Sequence, residues 1–532
     1  MNLKKIICIL LASLMLMTLL VSCSNQSTVD GGKNTNQTPV SEKEDLNMNA
    51  IVSLSEKVRV EAEPGASIKP NDEMNPLVST RFSADPTSVE YNGRVYVFST
   101  NDDQQYLATP YAVNGFGDIH SLNVFSSADL VNWTDHGYID VKAASPRINT
   151  SWAPSIVKRV EDDGLTHFYL FYAENGWSTG VLTATDPLGP WTDPLGRPVI
   201  VPTMPEVNGI LSNCFDPGAL CDDDGTIYVA CGAHKDSDVP GVSKGSGIFK
   251  LDDDLNIVEG PYVFEAPYFF EASEMNKIGD KYVYTFNGDW SAKQYPVEGY
   301  TKSPTCAMEY MVADDPMGPY TYVGWYLRNP GESNLLWGNN HTHLQEFKGN
   351  WYIISHSRLL EKNMGMDKSY RSVMIDKIDI TIDEEGNVNI PHTYITATGV
   401  EQVEYLDPYV HNEAETICNQ SGIMTKMIGD VGDVIVTDIK DGDWIRVKGV
   451  DFGSKGAAQF VAKVKGTGVI DIRLDDVNSE TVGSVDFSVN EFTNIINNID
   501  NITGVHDVYF VFGGENWEFD AWQFVETAPS AE

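Results

Sequence analysis

Five segments rich in tyrosine and β-branched residues recur along the chain and limit the folds that it can adopt. They occupy residues 92–98, 166–172, 224–230, 279–284 and 349–354. Apolar runs of this length that follow Gly, Asp or Asn turns indicate strands, and long helical periodicity is nearly absent. A second pair of similar segments, 186–191 and 315–320, supports a repeat of about 65 residues.

A residue of a type common in active sites precedes each segment. The tyrosines that serve as reference points are Tyr96, Tyr169, Tyr228, Tyr282 and Tyr352. Asp85, Asp216, Glu271 and His341 lie about 11 residues upstream of four of them, and Trp152 takes the corresponding place, further upstream, in the second repeat. A repeat that puts these five side chains at equivalent points predicts a ring in which they converge on the axis.

The repeats favour an all-β fold with a five-bladed β-propeller over residues 65–400. Each repeat can hold about four strands, and a radial arrangement leaves few exposed strand edges. The alternative is a pair of β-sandwiches, for which an even repeat is less typical. Residues 408–528 lose the repeat but keep short alternating runs, such as 444–447, 459–462, 469–472 and 508–512. They predict a separate β-sandwich (jelly-roll) module.

The first 22 residues are predicted to be an export signal. Two lysines precede an apolar run that ends in Leu20-Val21-Ser22-Cys23. This ending resembles a bacterial lipoprotein box, which implies cleavage before Cys23 and lipid attachment to its thiol. An ordinary secretory signal and a membrane span are the alternatives, although the run is shorter than the about 20 residues of a span. Residues 23–64 are polar and predict a flexible tether. The expected location is the outer face of the cell membrane or the medium.

The charge of the chain restricts its partners. The formal net charge is −40, from 76 acidic and 36 basic residues. Such a charge repels phosphate backbones, so nucleic acid is an unsuitable partner, and contact with the membrane is expected only through the lipid anchor. A neutral polysaccharide is indifferent to this field. The seven cysteines are irregularly spaced and form neither a disulfide framework nor a zinc-binding set.

The three repeated carboxylic acids suit acid–base chemistry. Glu271 follows the aromatic run 268–270, and an apolar setting raises a carboxyl pKa and keeps a proton available. An ionised carboxylate and a protonated carboxyl that flank one cleft are typical of glycoside hydrolysis. Other interpretations stay open: Asp-Pro is often only a turn, Trp152 and His341 can be core residues, and Glu274 is a rival acid.

Several motifs are similar to those of glycoside hydrolase family 43. They stand, in the order of that family, at 83–86, 127–133, 151–154, 214–217, 269–273 and 338–341. The resemblance implies a five-bladed propeller whose enzymes invert the anomeric centre of α-L-arabinofuranosides and β-D-xylosides. It implies Asp85 as general base, Glu271 as general acid and Asp216 as the carboxylate that orients the acid. Trp152, His341, Arg371 and Phe82 are the implied substrate-binding residues, with a calcium ion near His341.

The C-terminal part resembles carbohydrate-binding module family 6. The similarity lies at residues 413–415, 442–445, 504–509 and 520–522. It implies a structural calcium ion held by Glu413, Glu415 and Asp520, whose oxygens suit that ion, whereas solvated acidic residues are the alternative. The two positions of the family's sugar-stacking aromatic residues fall at Asp438 and Phe492, which puts sugar binding at that face in question.

The motifs together predict an inverting glycosidase that removes α-L-arabinofuranosyl groups from arabinoxylan or arabino-oligosaccharides. Inversion places the two reacting carboxyl groups roughly 6.5–9.5 Å apart, with a water between them. A β-1,4-xylosidase on the same fold is the first alternative, because the motifs do not separate the two sugars. A non-catalytic sugar-binding lipoprotein is the second.

Overall fold

The computed structural model of the protein describes residues 68–233, 242–243, 245–292 and 297–527. The predicted signal peptide, the predicted lipidation site Cys23 and the predicted tether lie outside these residues. Within the described ranges, no helix combines the length and the apolar character needed to cross a bilayer.

Five antiparallel sheets form the blades of a β-propeller. Blade I contains β1 (Ala84–Tyr91), β2 (Arg94–Thr100), β3 (Ser121–Ser127) and β4 (Trp133–Asp140). Blade II contains β5 (Ser151–Val160), β6 (Thr166–Glu174) and β7 (Ser178–Ala184). The third repeat contains β8 (Gly218–Cys221), β9 (Ile227–Cys231), β10 (Val242–Ser243), β11 (Gly247–Leu251), β12 (Ile257–Val263) and β13 (Ala266–Pro267). In it, β8, β9, β11 and β12 form blade III, and β10 pairs with β13 beside the sheet.

Blades IV and V complete the ring. Blade IV contains β14 (Phe269–Ile278), β15 (Lys281–Gly288), β16 (Met308–Ala313) and β17 (Thr321–Leu327). Blade V contains β18 (Thr342–Phe347), β19 (Asn350–Ser357) and β20 (Ser372–Ile378), followed by the hairpin of β21 (Thr381–Ile382) and β22 (Val388–Asn389). Short helices lie in the connections: α1 (Asp102–Ala108), α2 (Val141–Ala144), α3 (Leu359–Asn363) and a 3₁₀ turn at Pro330–Ser333.

The innermost strands of the blades are β1, β5, β8, β14 and β18, and each adjoins the next around the axis. The five reference tyrosines of the sequence repeat all lie on the second strand of a blade, on β2, β6, β9, β15 and β19. Tight turns connect the first two strands where the sequence predicts them. Asn92 and Gly93, with φ of +50° and +75°, form the two-residue turn between β1 and β2. The prediction of five blades is confirmed.

An apolar core fills the space between each pair of neighbouring blades. Between blades I and II, for example, Phe98 and Leu122 pack with Phe168 and Leu170, and all four are fully buried. Four equivalent clusters follow around the ring, the last of which joins blade V to blade I. The alternating apolar residues of each strand therefore serve two interfaces, one on each face of the blade.

The C-terminal module is a curled antiparallel sheet around one large core. Its strands are β23 (Asn412–Glu413), β24 (Thr416–Ile417), β25 (Asn419–Ser421), β26 (Met424–Met427), β27 (Val434–Thr437), β28 (Trp444–Asp451), β29 (Ala457–Leu474), β30 (Thr481–Ile502), β31 (Val505–Gly513) and β32 (Glu518–Glu526). The predicted runs 459–462 and 469–472 are parts of the single long strand β29. That strand pairs with β30, β31 and β32 and so bridges the layers of the sandwich.

The module is joined to blade I through a shared sheet. Strand β24 pairs with β4 as a fifth strand of the blade, with Thr416 opposite Thr134. Beside it, the side chain of Asn132 donates to the carbonyl of Lys448 at 2.8 Å and accepts from the amide of Lys448 at 2.8 Å. The propeller and the module therefore share backbone pairing in addition to side-chain contacts.

Candidate active site

The inner strands begin with a local distortion that aims their side chains at the axis. Asp85, Ala153, Asp216 and Ala272 all have a positive φ, between +41° and +61°, at equivalent points of blades I to IV. The strand pairing shifts register there in β1, β5 and β14. A bulge of this kind bends the strand and turns a side chain towards the site. Asp85 and Asp216 carry the left-handed backbone themselves, which Asp tolerates better than most residues.

Asp85 is buried, with 5% of its surface exposed, and four groups surround its carboxylate. One oxygen lies 2.8 Å from a guanidinium nitrogen of Arg371, and the other accepts a 2.9 Å hydrogen bond from the Thr100 hydroxyl. Burial by itself raises the pKa of Asp85, but Arg371, His356, His341 and the Thr100 hydrogen bond together lower it below its ordinary value. Asp85 is therefore held as a carboxylate, the state that a general base requires.

Arg371 fixes Asp85 through a second buried carboxylate. Its Nε and one terminal nitrogen bind Asp102 at 2.9 and 2.8 Å, while the other terminal nitrogen binds Asp85 and, at 3.3 Å, the side-chain oxygen of Asn339. The Phe116 ring covers the guanidinium at 5.1 Å. Arg371 was predicted to contact substrate. The structure places it 4% exposed beneath Asp85, where its polar contacts are with protein groups.

Two buried histidines lie against Asp85. His356 accepts the Asp85 amide proton at Nδ1 over 2.9 Å, and its Nε2 lies 3.0 Å from the Asn339 carbonyl, to which it donates. This pattern fixes a neutral ring with the proton on Nε2, and burial lowers the pKa of His356 to about 3. His341 lies at the axis with Nδ1 3.7 Å from Asp85, and burial lowers its pKa to about 4. Both rings are therefore neutral near pH 7.

Asp216 and Glu271 form the opposite side of the site, and both are half-buried. An Asp216 oxygen accepts the amide proton of Ala272, the residue after Glu271, at 3.2 Å. Burial and then the charge of Asp85 raise the pKa of Glu271 to about 7, although a hydrogen bond from Asn339 opposes the rise. Burial, Glu271 and Asp85 raise the pKa of Asp216. Glu271 thus holds a proton near neutral pH, and Asp216 lies where it can orient Glu271.

The rival acid Glu274 lies deeper than Glu271. It is 2% exposed, and its two carboxylate oxygens contact His343 Nδ1 at 2.5 Å and the Ser155 hydroxyl at 3.2 Å. Because both oxygens have protein partners below the site, Glu271 is the better placed of the two to reach a glycosidic oxygen.

Trp152 and Phe82 differ in their access to the site. Trp152 is half-buried, and its indole N–H donates to the Phe116 carbonyl at 3.1 Å. Its ring packs so closely on Gly176, which has a φ of +62°, that an added Cβ would lie 2.6 Å from it. Phe82 is only 2% exposed and packs against Tyr106 and Tyr370, so the structure gives its ring no open face for a sugar. Its position does not fit the predicted substrate contact.

The sequence repeat does not indicate the groups that support Asp85. Thr100 ends β2, Asp102 begins α1 and His356 lies in β19, and none of them stands at the repeated position. Asn339 does lie in one of the motifs, next to His341, but its contact with Arg371 could not be inferred from that place. The distances in sequence from Asp85 to Arg371 and His356 carry no local pattern that indicates proximity.

Two of the three acidic residues at the implied calcium site contact a lysine and a histidine. Glu413 and Asp520 start from neighbouring strands, since Glu413 pairs with Ala521. Asp520 contacts the Lys463 ammonium at 2.7 Å, Glu413 contacts His411 at 3.1 Å, and Glu415 is buried at the boundary with blade I. Among the residues that the structure describes, no three His, Cys, Asp or Glu side chains form a group able to hold a metal. The calcium site that the resemblance implies at these positions stays a prediction.

The sugar-binding face implied for the module has a polar lining. An open cavity of about 260 Å³ is lined by Thr437, Asp438, Lys465, Gly466, Asn516 and Glu518. The Phe492 ring is covered by the Lys465 ammonium at 5.4 Å, and Lys465 also contacts Glu518 at 2.9 Å. An aromatic platform for a sugar ring is absent from this cavity lining.

Comparisons with known proteins match both parts of the chain. Residues 74–385 match the profile of glycosyl hydrolases family 43, and residues 413–526 match that of carbohydrate binding module family 6. An arabinoxylan arabinofuranohydrolase of Paenibacillus polymyxa is 35% identical over 90% of this chain and 78% of its own. An arabinoxylan arabinofuranohydrolase from Bacillus subtilis is 36% identical over 85% of this chain and 92% of its own.

A solved structure matches the whole architecture. It is a family 43 arabinoxylan arabinofuranohydrolase from Bacillus subtilis in complex with cellotetraose, with a TM-score of 0.80 and 34% identity. The match covers 87% of this chain and 100% of that structure. The propeller and the module therefore occur together, in the same order, in a known enzyme.

Proposed function

Because this chain belongs to glycosyl hydrolase family 43, we propose that it removes α-L-arabinofuranosyl groups from arabinoxylan or arabino-oligosaccharides with inversion. The observation that carries the proposal is the meeting of Asp85, Asp216 and Glu271 at the axis of the ring, each with a charge environment suited to a different role. The choice of sugar rests on the two relatives, both of which are arabinoxylan arabinofuranohydrolases.

Asp85 activates the attacking water. Its carboxylate takes one proton from the water, whose oxygen forms a bond to the anomeric carbon. Arg371 and Thr100 keep the carboxylate ionised and fixed, so that no proton has to be lost before reaction. A base that is held in one orientation within hydrogen-bond reach of its water contributes about 10²- to 10⁴-fold to the rate.

Glu271 assists departure of the leaving group. As the glycosidic bond breaks, its electron pair stays on the leaving oxygen, which takes the Glu271 proton. Asp216 accepts the Ala272 amide proton and so fixes the backbone next to Glu271, while burial and the charge of Asp85 keep the proton on Glu271 until the transition state. The products are arabinofuranose of inverted configuration and a free hydroxyl on the xylan chain, and Glu271 and Asp85 then exchange their protons with water.

Exposed aromatic side chains favour a polymeric substrate. Among the described residues of the propeller, the exposed aromatic side chains are Tyr111, Phe116, Trp177, Phe270, Trp290, Tyr300, Trp337 and Tyr394. All except Tyr394, which follows the hairpin of β21 and β22, lie on connections or strand starts at the end of the propeller that carries the trio. Exposed aromatic surface concentrated at one end of a domain indicates a binding surface. Such a surface suits a sugar chain that passes over the mouth while one side group enters it.

The anchor, the location and the calcium ions are further parts of the proposal. The Leu-Val-Ser-Cys sequence supports a lipid on Cys23 and a position on the outer face of the membrane or, without lipid, in the medium. A Cys23→Ala variant should lose labelled fatty acid and leave the detergent phase. The resemblance supports calcium in the module and near His341. In the module, binding requires Asp520 to exchange Lys463 for the ion, a change that calcium titration of the purified protein can detect.

Product analysis tests the function directly. The purified protein should release arabinose, and no xylose, from arabinoxylan and from arabino-oligosaccharides. Glu271→Gln, which keeps the size of the side chain but holds no acidic proton, should release about 10²- to 10⁴-fold less. Xylose released from unsubstituted xylo-oligosaccharides would instead assign a β-1,4-xylosidase, and the absence of any released sugar would leave a binding protein.

A further inference from the structure

A polar belt crosses the axis one step below the catalytic side chains. It consists of Thr87, Ser155, the Ala219 amide, Glu274 and His343, one group from each inner strand. These groups follow Asp85, Trp152, Asp216, Glu271 and His341 by two or three residues along the same strands. We call this set the axial belt.

The axial belt connects all five blades by hydrogen bonds. Glu274 contacts His343 of blade V at 2.5 Å and the Ser155 hydroxyl of blade II at 3.2 Å. The Ser155 oxygen accepts the Ala219 amide of blade III at 2.9 Å. The Thr87 hydroxyl of blade I accepts the amide of Ile156, next to Ser155, at 3.2 Å, and lies 3.5 Å from His343 Nδ1. Glu274 is thus the point at which blades II, IV and V meet.

In the described blades, neighbouring inner strands share no ladder of backbone hydrogen bonds, because each blade is a separate sheet. The position of one inner strand relative to the next therefore depends on side-chain contacts, which are the apolar cores between the blades and, at the axis, the belt. Strand β14 also contains the irregular pairing between Glu271 and Glu274, which leaves Glu271 less constrained by its own sheet. The inner strands of blades III and IV also approach each other closely, since a Cβ on Gly218 would lie 2.4 Å from the Glu274 Cα.

We propose that Glu274 and His343 are positioning residues, which hold the strand bearing Glu271 in place against the strands bearing His341 and Asp85. The inference rests on the glycosidase function proposed above. Glu274 does not touch substrate, because it is 2% exposed and both carboxylate oxygens have partners. It acts through Glu271, three residues earlier on β14. A displacement of about 1 Å in a reacting group can cost on the order of 100-fold in rate.

The matched control is Glu309. It is also a fully buried carboxyl of blade IV with two side-chain partners, the hydroxyls of Ser303 at 2.7 Å and Tyr322 at 2.5 Å. It lies on β16, the third strand of the sheet, and not on the inner strand. Glu274→Gln and Glu309→Gln make the same chemical change in two buried sites, and only the first belongs to the axial belt.

The test compares two leaving groups. Phenyl arabinofuranoside needs the proton of Glu271 for departure, whereas 2,4-dinitrophenyl arabinofuranoside leaves as a stable anion and does not. We expect Glu274→Gln to lower kcat on the phenyl substrate by about 10- to 100-fold and to change KM by less than about twofold. On the dinitrophenyl substrate, kcat should fall by no more than about threefold. Glu309→Gln should stay within about twofold on both. His343→Gln should repeat the Glu274→Gln result, and the double variant should lose little more.

Equal losses on the two substrates, or a Glu274→Gln loss no larger than that of Glu309→Gln, would overturn the positioning role. Failure of the proposed function gives a different result, because it appears in the wild type. If the wild type hydrolyses aryl xylosides and not aryl arabinofuranosides, the sugar assignment fails, and the same comparison on phenyl and dinitrophenyl xylosides still decides the role of Glu274.

Discussion

The propeller and the C-terminal module match their families in different ways. In the propeller, residues from distant motifs meet: Asp85 and Arg371 lie 286 positions apart and form a 2.8 Å contact. In the module the fold is present, but two of the three acidic residues predicted to share a calcium ion, Glu413 and Asp520, contact separate partners, and the Phe492 ring is covered by Lys465. A shared fold is therefore a weaker guide to a site than the mutual contacts of the side chains in it.

The largest effect should come from the reacting pair in the propeller. Asp85→Asn and Glu271→Gln should each lower kcat by about 10²- to 10⁴-fold, because one removes the base and the other the acid. Glu413→Gln in the module is the matched change outside the propeller and should leave kcat on an aryl glycoside within about twofold. A comparable loss of kcat for Glu413→Gln would show that the module also contributes to catalysis.

The second largest effect on kcat should come from Arg371, which acts through Asp85. Arg371→Lys cannot bind Asp85 and Asp102 at once, because a lysine lacks the planar fork that reaches both. We expect kcat to fall about tenfold or more, and the acid limb of the pH profile to move to higher pH as Asp85 loses the group that keeps its pKa low. An unchanged acid limb would contradict the assignment of Asp85 as the base.

The pH profile of the wild type should have unequal limbs. Since Glu271 must be protonated and has a pKa of about 7, kcat/KM should fall about tenfold per pH unit above that value. Since Asp85 must be ionised and its pKa lies below the ordinary value, the acid limb should begin only below about pH 4. Steady-state rates between pH 3 and 10 test both limbs. A basic limb that persists in the residual activity of Glu271→Gln would assign it to another group.

Replacement of aromatic side chains should change KM for the polysaccharide by a smaller factor, and by more in the propeller than in the module. Trp290→Ala removes an exposed ring near the site and should raise KM for arabinoxylan about threefold to tenfold. Phe492→Ala in the module should change KM by less than about twofold, because its ring already carries the Lys465 ammonium. Calorimetric titration with xylo-oligosaccharides measures the same difference without turnover. Weaker binding by Phe492→Ala than by Trp290→Ala would place the main sugar contact on the module.

The ring and the residues at its axis could be predicted because both follow from a local repeat. Each blade has the same tyrosine-bearing second strand, and in blades I to IV a residue with positive φ lies near the start of the inner strand, with a bulge in blades I, II and IV. The bulges themselves could not be predicted, since Ala153 and Ala272 adopt a positive φ that their side chains do not favour. The roles of Asp102, His356 and Glu274 depend on contacts between blades, which leave no periodic signal in the sequence.

The contacts within the module were the least predictable. The pairing of β24 with β4 joins residues 416–417 to a blade almost 300 positions earlier, and two residues are too short a strand to show alternation. The contact between Asp520 and Lys463 likewise depends on the register of β29 with β32. The fold of this region could be predicted from sequence similarity, whereas these side-chain contacts depend on how its strands pack.

Proton NMR of arabinoxylan digestion tests whether Asp85 and Glu271 act together in a single inverting displacement. We expect the wild type to release first the β-furanose form of arabinose from the α-linked side groups, before mutarotation, and we expect no such release by Glu271→Gln. This is the outcome of one displacement by a water between Asp85 and Glu271. Initial release of the α-furanose form would require a covalent intermediate and would contradict the assignment of Asp85 as a base that acts on water.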